Sequence, residues 1–247
     1  MNRFRMTKVA HGDHLFCSPL SSARADELVG LLDLPASSRL IGIGCGKAEF
    51  LLRAVQRYDA RGIGVDPNGA FLNTARANAE ARGISGRLEW HEALAAEVLL
   101  EPASFDAAFG FGSSQAFGNF TQALAALAAL VRSGGLVLIA DSYWRHEPAA
   151  EFLTFLGASA DDFLSHAGNE AAGIAAGLAP LYSCVSNADE WDHYEGLFCR
   201  AVERFAHHHP QDPDAEPFLK RIRAWREIYR RHGRDTLGFG FYLFLKP

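Results

Sequence analysis

Apolar and polar positions alternate along this chain in two periods that switch repeatedly. The stretch 39–44, RLIGIG, is a short, nearly continuous apolar run bounded by turn residues, which predicts a buried strand. Residues 48–58 then carry apolar positions at helical spacing. The same exchange recurs, with strands predicted over 62–66, 87–91, 105–109 and 136–140 and helices over 68–82 and 120–131. A turn is expected at Ser133, Gly134 and Gly135. Strands that alternate with helices specify a parallel, doubly wound sheet, whose ligand crevice lies beyond the carboxyl ends of the strands. After Asp141 the pattern loosens. Helical pieces are expected over 148–178, a sixth strand over 181–187, long amphipathic helices over 189–207 and 215–231, and a final apolar strand over 236–245. The two long helices are more than a strand-to-strand connection needs. They predict a cap over the crevice.

The expected architecture is therefore α/β: a doubly wound, seven-stranded, Rossmann-like sheet, its last strand antiparallel, with a helical cap inserted after strands five and six. The chain divides into an N-terminal arm and lid helix over 1–35, a nucleoside-binding core over 36–146, the cap with strand six over 147–235, and the last core strand over 236–247.

Composition adds exclusions. The chain has 247 residues, 49% hydrophobic and 21% charged, as in ordinary globular proteins. No apolar run approaches the roughly 20 residues that span a bilayer, and the first residues lack the apolar core of a signal peptide. A cytoplasmic location is the expectation. The net charge of −5 offers no bulk attraction to nucleic acid or anionic lipid. The basic positions over 220–231 are expected to form a solvated cap face. Cys17, Cys45, Cys184 and Cys199 are scattered, and His207, His208 and His209 point in different directions on one turn. Neither pattern is a metal site.

The chemistry concentrates at GIGCGKAE, residues 42–49. Glycines there permit a tight turn and close approach of backbone to a ligand. Asp66 ends the second strand about twenty residues later, where a carboxylate accepts the hydroxyls of a ribose. The spacing is not the G-x-G-x-x-G of dinucleotide sites. It resembles the first motif of the class I S-adenosylmethionine-dependent methyltransferases. The resemblance extends through VDP (65–67), HEA (91–93), FDAAF (105–109) and LVRSGGLVLI (130–139). Beyond it, DSYWR (141–145), DEWDHYE (189–195), LGFGFYL (237–243) and Asp13-His14 with Ser18-Pro19 look like a small bacterial subgroup of that family with a helical cap. These matches sharpen fold and cofactor more than reaction.

The resemblance implies S-adenosyl-L-methionine held by Gly42, Gly44, Cys45, Gly46, Asp66, Pro67, Glu92, Ala93, Phe109 and Gly110. Three positions depart from the family pattern. Gly42 stands where an acid usually fixes the ammonium end of the cofactor, Ala48 replaces the last motif glycine, and Ser133 replaces the usual turn proline. Positions after strands four and five should face the transferred methyl. They offer Ser113, Ser114, Gln115, Trp144 and, from the cap, Trp191 and Tyr194 as acceptor contacts, with His14 and Tyr143 as catalytic candidates from opposite sides of the mouth. The N-terminal arm is expected to serve the acceptor rather than the cofactor. The N/D-P-P-Y/F run of enzymes that methylate amide or base nitrogens is absent. The reading is methyl transfer to a small molecule, with no nucleic acid and no membrane partner. A reaction of the sulfonium without an acceptor (internal cyclisation or elimination) and a non-catalytic cofactor-binding module remain open.

Overall fold

The computed structural model describes residues 3–247; the first two residues of the expected arm lie outside the described residues. Seven strands form one sheet in the order β3-β2-β1-β4-β5-β7-β6. They are β1 Arg39–Ile43, β2 Arg61–Val65, β3 Leu88–His91, β4 Phe105–Phe111, β5 Val131–Trp144, β6 Ala179–Val185 and β7 Leu237–Leu245. The first five pair in parallel, whereas β7 runs antiparallel to both β5 and β6. In β1, Leu40 packs in the layer that includes Leu51 and Leu52, and Ile41 and Ile43 in the layer that includes Leu124 and Leu127. Burial on both faces is why the strand reads as a continuous apolar run rather than an alternating one.

The helices are α1 Arg3–Ala10, α2 Ser22–Leu31, α3 Glu49–Arg57, α4 Gly69–Ala81, α5 Phe120–Leu130, α6 Ala150–Leu156, α7 His166–Ala175, α8 Ala188–His208 and α9 Ala215–Ile228. Asn68, Asn119, Ser165 and Asn187 cap α4, α5, α7 and α8 through their side-chain oxygens, supplying acceptors that the first turn otherwise lacks. None of the described helices is long and apolar enough to cross a membrane.

One expectation needs correction. The fifth strand does not begin after the glycine turn or stop at Ala140. It spans Val131–Trp144, and the residues between Val131 and Leu136 bulge out of register with β4. Gly134 takes φ 75° there and donates its N–H to the Lys246 carbonyl. The sixth strand is, as expected, a strand of the seven-stranded sheet; it forms the edge and pairs with β7.

The arm is anchored rather than loose. Arg53 on α3 bonds Asp26 and the Ser22 carbonyl on α2, at 2.8 and 3.0 Å, while buried Glu49 holds Arg53 at 2.8 Å and Arg82 at 2.6 Å. The Ser21 hydroxyl donates to Glu190 of α8 at 2.6 Å. Arg5 on α1 reaches Asp214, just ahead of α9, at 2.7 Å.

Candidate active site

The sheet order changes direction between β1 and β4, and this is where a crevice opens in doubly wound sheets. The glycine turn after β1 fills one side. Gly44 and Gly46 have φ 61° and 56°. A Cβ on Gly44 would lie 2.5 Å from the Ser113 Cβ of the turn after β4. Left-handed backbone and close approach thus both require glycine here. Ala48 takes the same left-handed conformation, φ 57°, without being glycine, at a cost of about 1 kcal/mol.

Asp66 stands at the end of β2, 8% exposed. One carboxylate oxygen accepts the Gly46 N–H at 2.8 Å and the other accepts the Asn68 N–H at 2.8 Å. Burial raises its pKa while these two bonds oppose the rise. Each oxygen keeps a further lone pair for a ligand hydroxyl. Asp66 therefore does two jobs, since it also fixes the glycine turn. Pro67 leads directly into α4. Glu92 lies across the start of that helix, where a Cβ on Gly69 would come within 2.4 Å of its carboxylate, a favourable place for negative charge. Ala93 follows it.

Three spaces follow one another from the turn into the cap, and only the first is lined by the turn itself. The first, about 60 Å³, is bounded by the glycine turn, Phe50, Phe109 and Phe111, and by Phe16, Cys17 and Ser18 of the arm. Gly42 and Cys45 line it, and burial holds the Cys45 thiol neutral. Gly110 does not face it. Its missing Cβ would point at Leu127 of α5, 3.1 Å away. The second space, a crevice of about 610 Å³, lies at the ends of β4 and β5, and Cys17 and Ser18 line it as well. Ser114, Gln115, Trp191 and Tyr194 face this crevice as expected. The third, about 410 Å³, sits inside the cap and shares the Tyr194 wall.

Several expected contacts lie elsewhere. Tyr143 packs its ring over Gly238 and edge-on to His166, centroids 5.4 Å apart, so it does not meet His14 across the mouth. Trp144 donates its indole N–H to the Ala160 carbonyl at 2.9 Å and packs against Phe163 and Phe152. Neither ring lines the crevice. Ser113 closes on Gly44 and bonds the Ile43 carbonyl at 3.2 Å. His14 is buried, with Nε2–H donating to the Tyr194 carbonyl at 2.9 Å. Burial lowers its pKa, so the ring is neutral; its Nδ1 has no partner.

The arm also serves the cofactor side. Lys47, inside the glycine motif, donates to the carbonyls of His11, Gly12 and His14 at 2.6, 3.2 and 2.6 Å. Cys17 Sγ sits 3.3 Å from where a Cβ on Gly46 would stand. The arm thus contacts the glycine turn as well as the crevice.

The residue that sequence reasoning passed over is Asp141. It lines the crevice at the end of β5 and is 8% exposed. Its carboxylate accepts the Ser114 hydroxyl in a close contact, the Ser114 N–H at 3.2 Å and the Ser142 N–H at 2.7 Å. Desolvation raises its pKa. Its signal in the sequence was a lone acid at a strand's carboxyl end, the same signal that singled out Asp66.

Residues 41–135 match the family described as "Methyltransferase domain". The protein YjhP of Escherichia coli strain K12 is 25% identical over 241 residues, covering 96% of each chain, and its crystal structure superposes with a TM-score of 0.91 over 98% of this chain and all of that one. The 27-O-demethylrifamycin SV methyltransferase of Amycolatopsis mediterranei is 27% identical over 239 residues, 90% of this chain and 82% of that protein. A crystal structure of an S-adenosylmethionine-dependent methyltransferase from Geobacter sulfurreducens, in complex with S-adenosylhomocysteine, matches with a TM-score of 0.91 at 23% identity over 98% of both chains. Strand order, glycine turn and family match agree, and this chain has the class I S-adenosylmethionine-dependent methyltransferase fold with an inserted helical region, related to YjhP and other bacterial proteins of that build.

Proposed function

We propose that the protein is an S-adenosylmethionine-dependent methyltransferase whose acceptor is a small molecule seated in the 610 Å³ crevice. One observation carries this reading. The space at the glycine turn and the crevice are both lined by Cys17 and Ser18, so a cofactor site and an acceptor site share one wall. The residues suit the cofactor. Gly44 and Gly46 give the turn its left-handed backbone, Asp66 offers free lone pairs for its ribose hydroxyls, and the rings of Phe50, Phe109 and Phe111 suit a sulfonium. When bound, S-adenosylmethionine supplies an activated methyl group on sulfur.

The chain's own contribution is placement. Holding an acceptor in line converts an encounter between two molecules into a unimolecular step. Asp141, buried and held by three donors from Ser114 and Ser142, accepts a hydrogen bond or a proton from the acceptor. His14 uses its N–H to hold Tyr194 and is a positioning residue in this reading, while Tyr143 and Trp144 pack the strand end. The size of the crevice is that of small-molecule sites, which favours a small acceptor over a nucleic acid.

The test is an incubation with S-adenosylmethionine and a panel of small hydroxyl, thiol and amine acceptors, reading S-adenosylhomocysteine. Acceptor-dependent release is expected. Asp141→Asn should lower that turnover by about 10²–10⁴ and leave S-adenosylhomocysteine affinity within a few-fold. Release that needs no acceptor, or tight cofactor binding with no product from any acceptor, would replace this reading.

A further inference from the structure

The cap contains more space than its packing requires. Protein interiors hold few voids larger than a water molecule. Yet α1, α6, α8 and α9 flank a partly open pocket of about 410 Å³, lined by Phe155, Leu156, Phe198, Phe218, Ile222 and Trp225. Tyr194 is the wall that this space shares with the crevice. Its hydroxyl lies 3.1 Å from His11 Nε2, and its ring packs on His14 with centroids 4.9 Å apart.

The two compartments differ in chemistry. The cap compartment is walled mainly by aromatic and aliphatic side chains. The crevice carries polar groups that the protein leaves unsatisfied. The indole N–H of Trp191, 6% exposed, and the Asn169 Oδ1, fully buried, have no hydrogen-bond partner, and both residues line the crevice together with Asp141. A buried donor and a buried acceptor without partners cost free energy that a ligand can recover.

We propose that the acceptor is an amphiphile, with a hydroxyl-bearing head in the crevice between Asp141, Asn169 and Trp191 and an apolar tail that passes Tyr194 into the cap compartment. This rests on the methyl-transfer reading and names its substrate class. Hydroxyl groups suit the head because they donate and accept. The tail needs only apolar surface, which the cap offers, so the protein selects for chain length rather than for a second functional group.

A series of 4-alkylphenols from ethyl to octyl probes this directly, by calorimetry on the full-length protein saturated with S-adenosylhomocysteine. Affinity should rise about fourfold per added methylene until the cap compartment is full. Leu156→Trp should remove that gain for the long chains and leave the ethyl compound unchanged. Phe155→Trp, at a ring already 42% exposed, repeats the test should the first variant fail to fold. An affinity independent of chain length, no binding by any member, or a variant that weakens short and long chains alike overturns the proposal while the methyl-transfer reading stands. Failure of the wild-type protein to bind S-adenosylhomocysteine overturns both.

Discussion

Two buried titratable groups flank the cap compartment and pull its stability in opposite directions with pH. Burial pushes the Glu195 carboxyl up from its ordinary 4.5 to about 7, against a hydrogen bond from the Trp225 indole at 2.6 Å. Burial also pushes the His11 imidazole down from 6.5 to about 4. A raised carboxyl contributes stability that is present below pH 4.5 and lost as pH rises through about 7. A lowered imidazole contributes stability that is present above pH 6.5 and lost as pH falls through about 4. At ~1.4 kcal/mol per pH decade, each contribution comes to about 3 kcal/mol. Between pH 4.5 and 6.5 they oppose each other, and their joint contribution is nearly flat. Single substitutions expose the hidden slopes. Glu195→Gln keeps an acceptor for Trp225 and should gain about 3 kcal/mol on the wild type between pH 4.5 and 8, roughly 6–12 °C in Tm. His11→Asn should gain a similar amount on the wild type as pH falls from 6.5 to 4. Urea unfolding of all three proteins across this range, read as differences from wild type at each pH, checks the reasoning. Differences that stay constant with pH to within ~0.5 kcal/mol in both variants would refute it.

Other outcomes follow from the cofactor side. Asp66→Ala should weaken S-adenosylhomocysteine binding by one to two decades, from loss of a charge-assisted bond worth about 1.5–3 kcal/mol, and should also loosen the turn by freeing the Gly46 and Asn68 N–H groups; unchanged affinity by calorimetry in the folded variant would exclude the ribose role. Ala48→Gly relieves a left-handed backbone and should raise Tm by roughly 2–4 °C, as differential scanning calorimetry would show. Restoring the family's acid by Gly42→Asp meets a tight wall, because a Cβ there already lies 3.2 Å from the Cys45 Cβ. It should cost about 1–3 kcal/mol in urea unfolding through overpacking, and tighter cofactor binding without loss of stability would contradict that.

The core was legible because its signals are local. Strands one to four, the glycine turn and Asp66 follow from apolar runs, turn residues and one acid at a strand end, each set by neighbours within a few residues. What failed depended on where a strand ends or on distant partners. Ending β5 at Ala140 left the orientation of the following residues unassigned. With the strand continued to Trp144, Asp141 and Tyr143 fall on one face and Ser142 and Trp144 on the other. Tyr143 then lies over Gly238, a partner that only strand pairing reveals. The double service of Tyr194, which also holds His14, arises between segments some 180 residues apart, beyond any periodicity in the chain.

The grip of Lys47 on the arm has a consequence for synthesis. Residues 3–22 are made well before Tyr194, Glu190 and Asp214, on which they rest. At about 5–20 residues per second, the arm waits on the order of 10–40 s for these partners. During that interval α2 has α3 to pack on but lacks α8, whose Glu190 accepts from Ser21. β5 likewise waits for β7, its antiparallel partner. The nascent protein therefore passes through a stage with its arm held by Lys47 and Arg53 alone and its central sheet open along β5. That stage is the one a chaperone would meet.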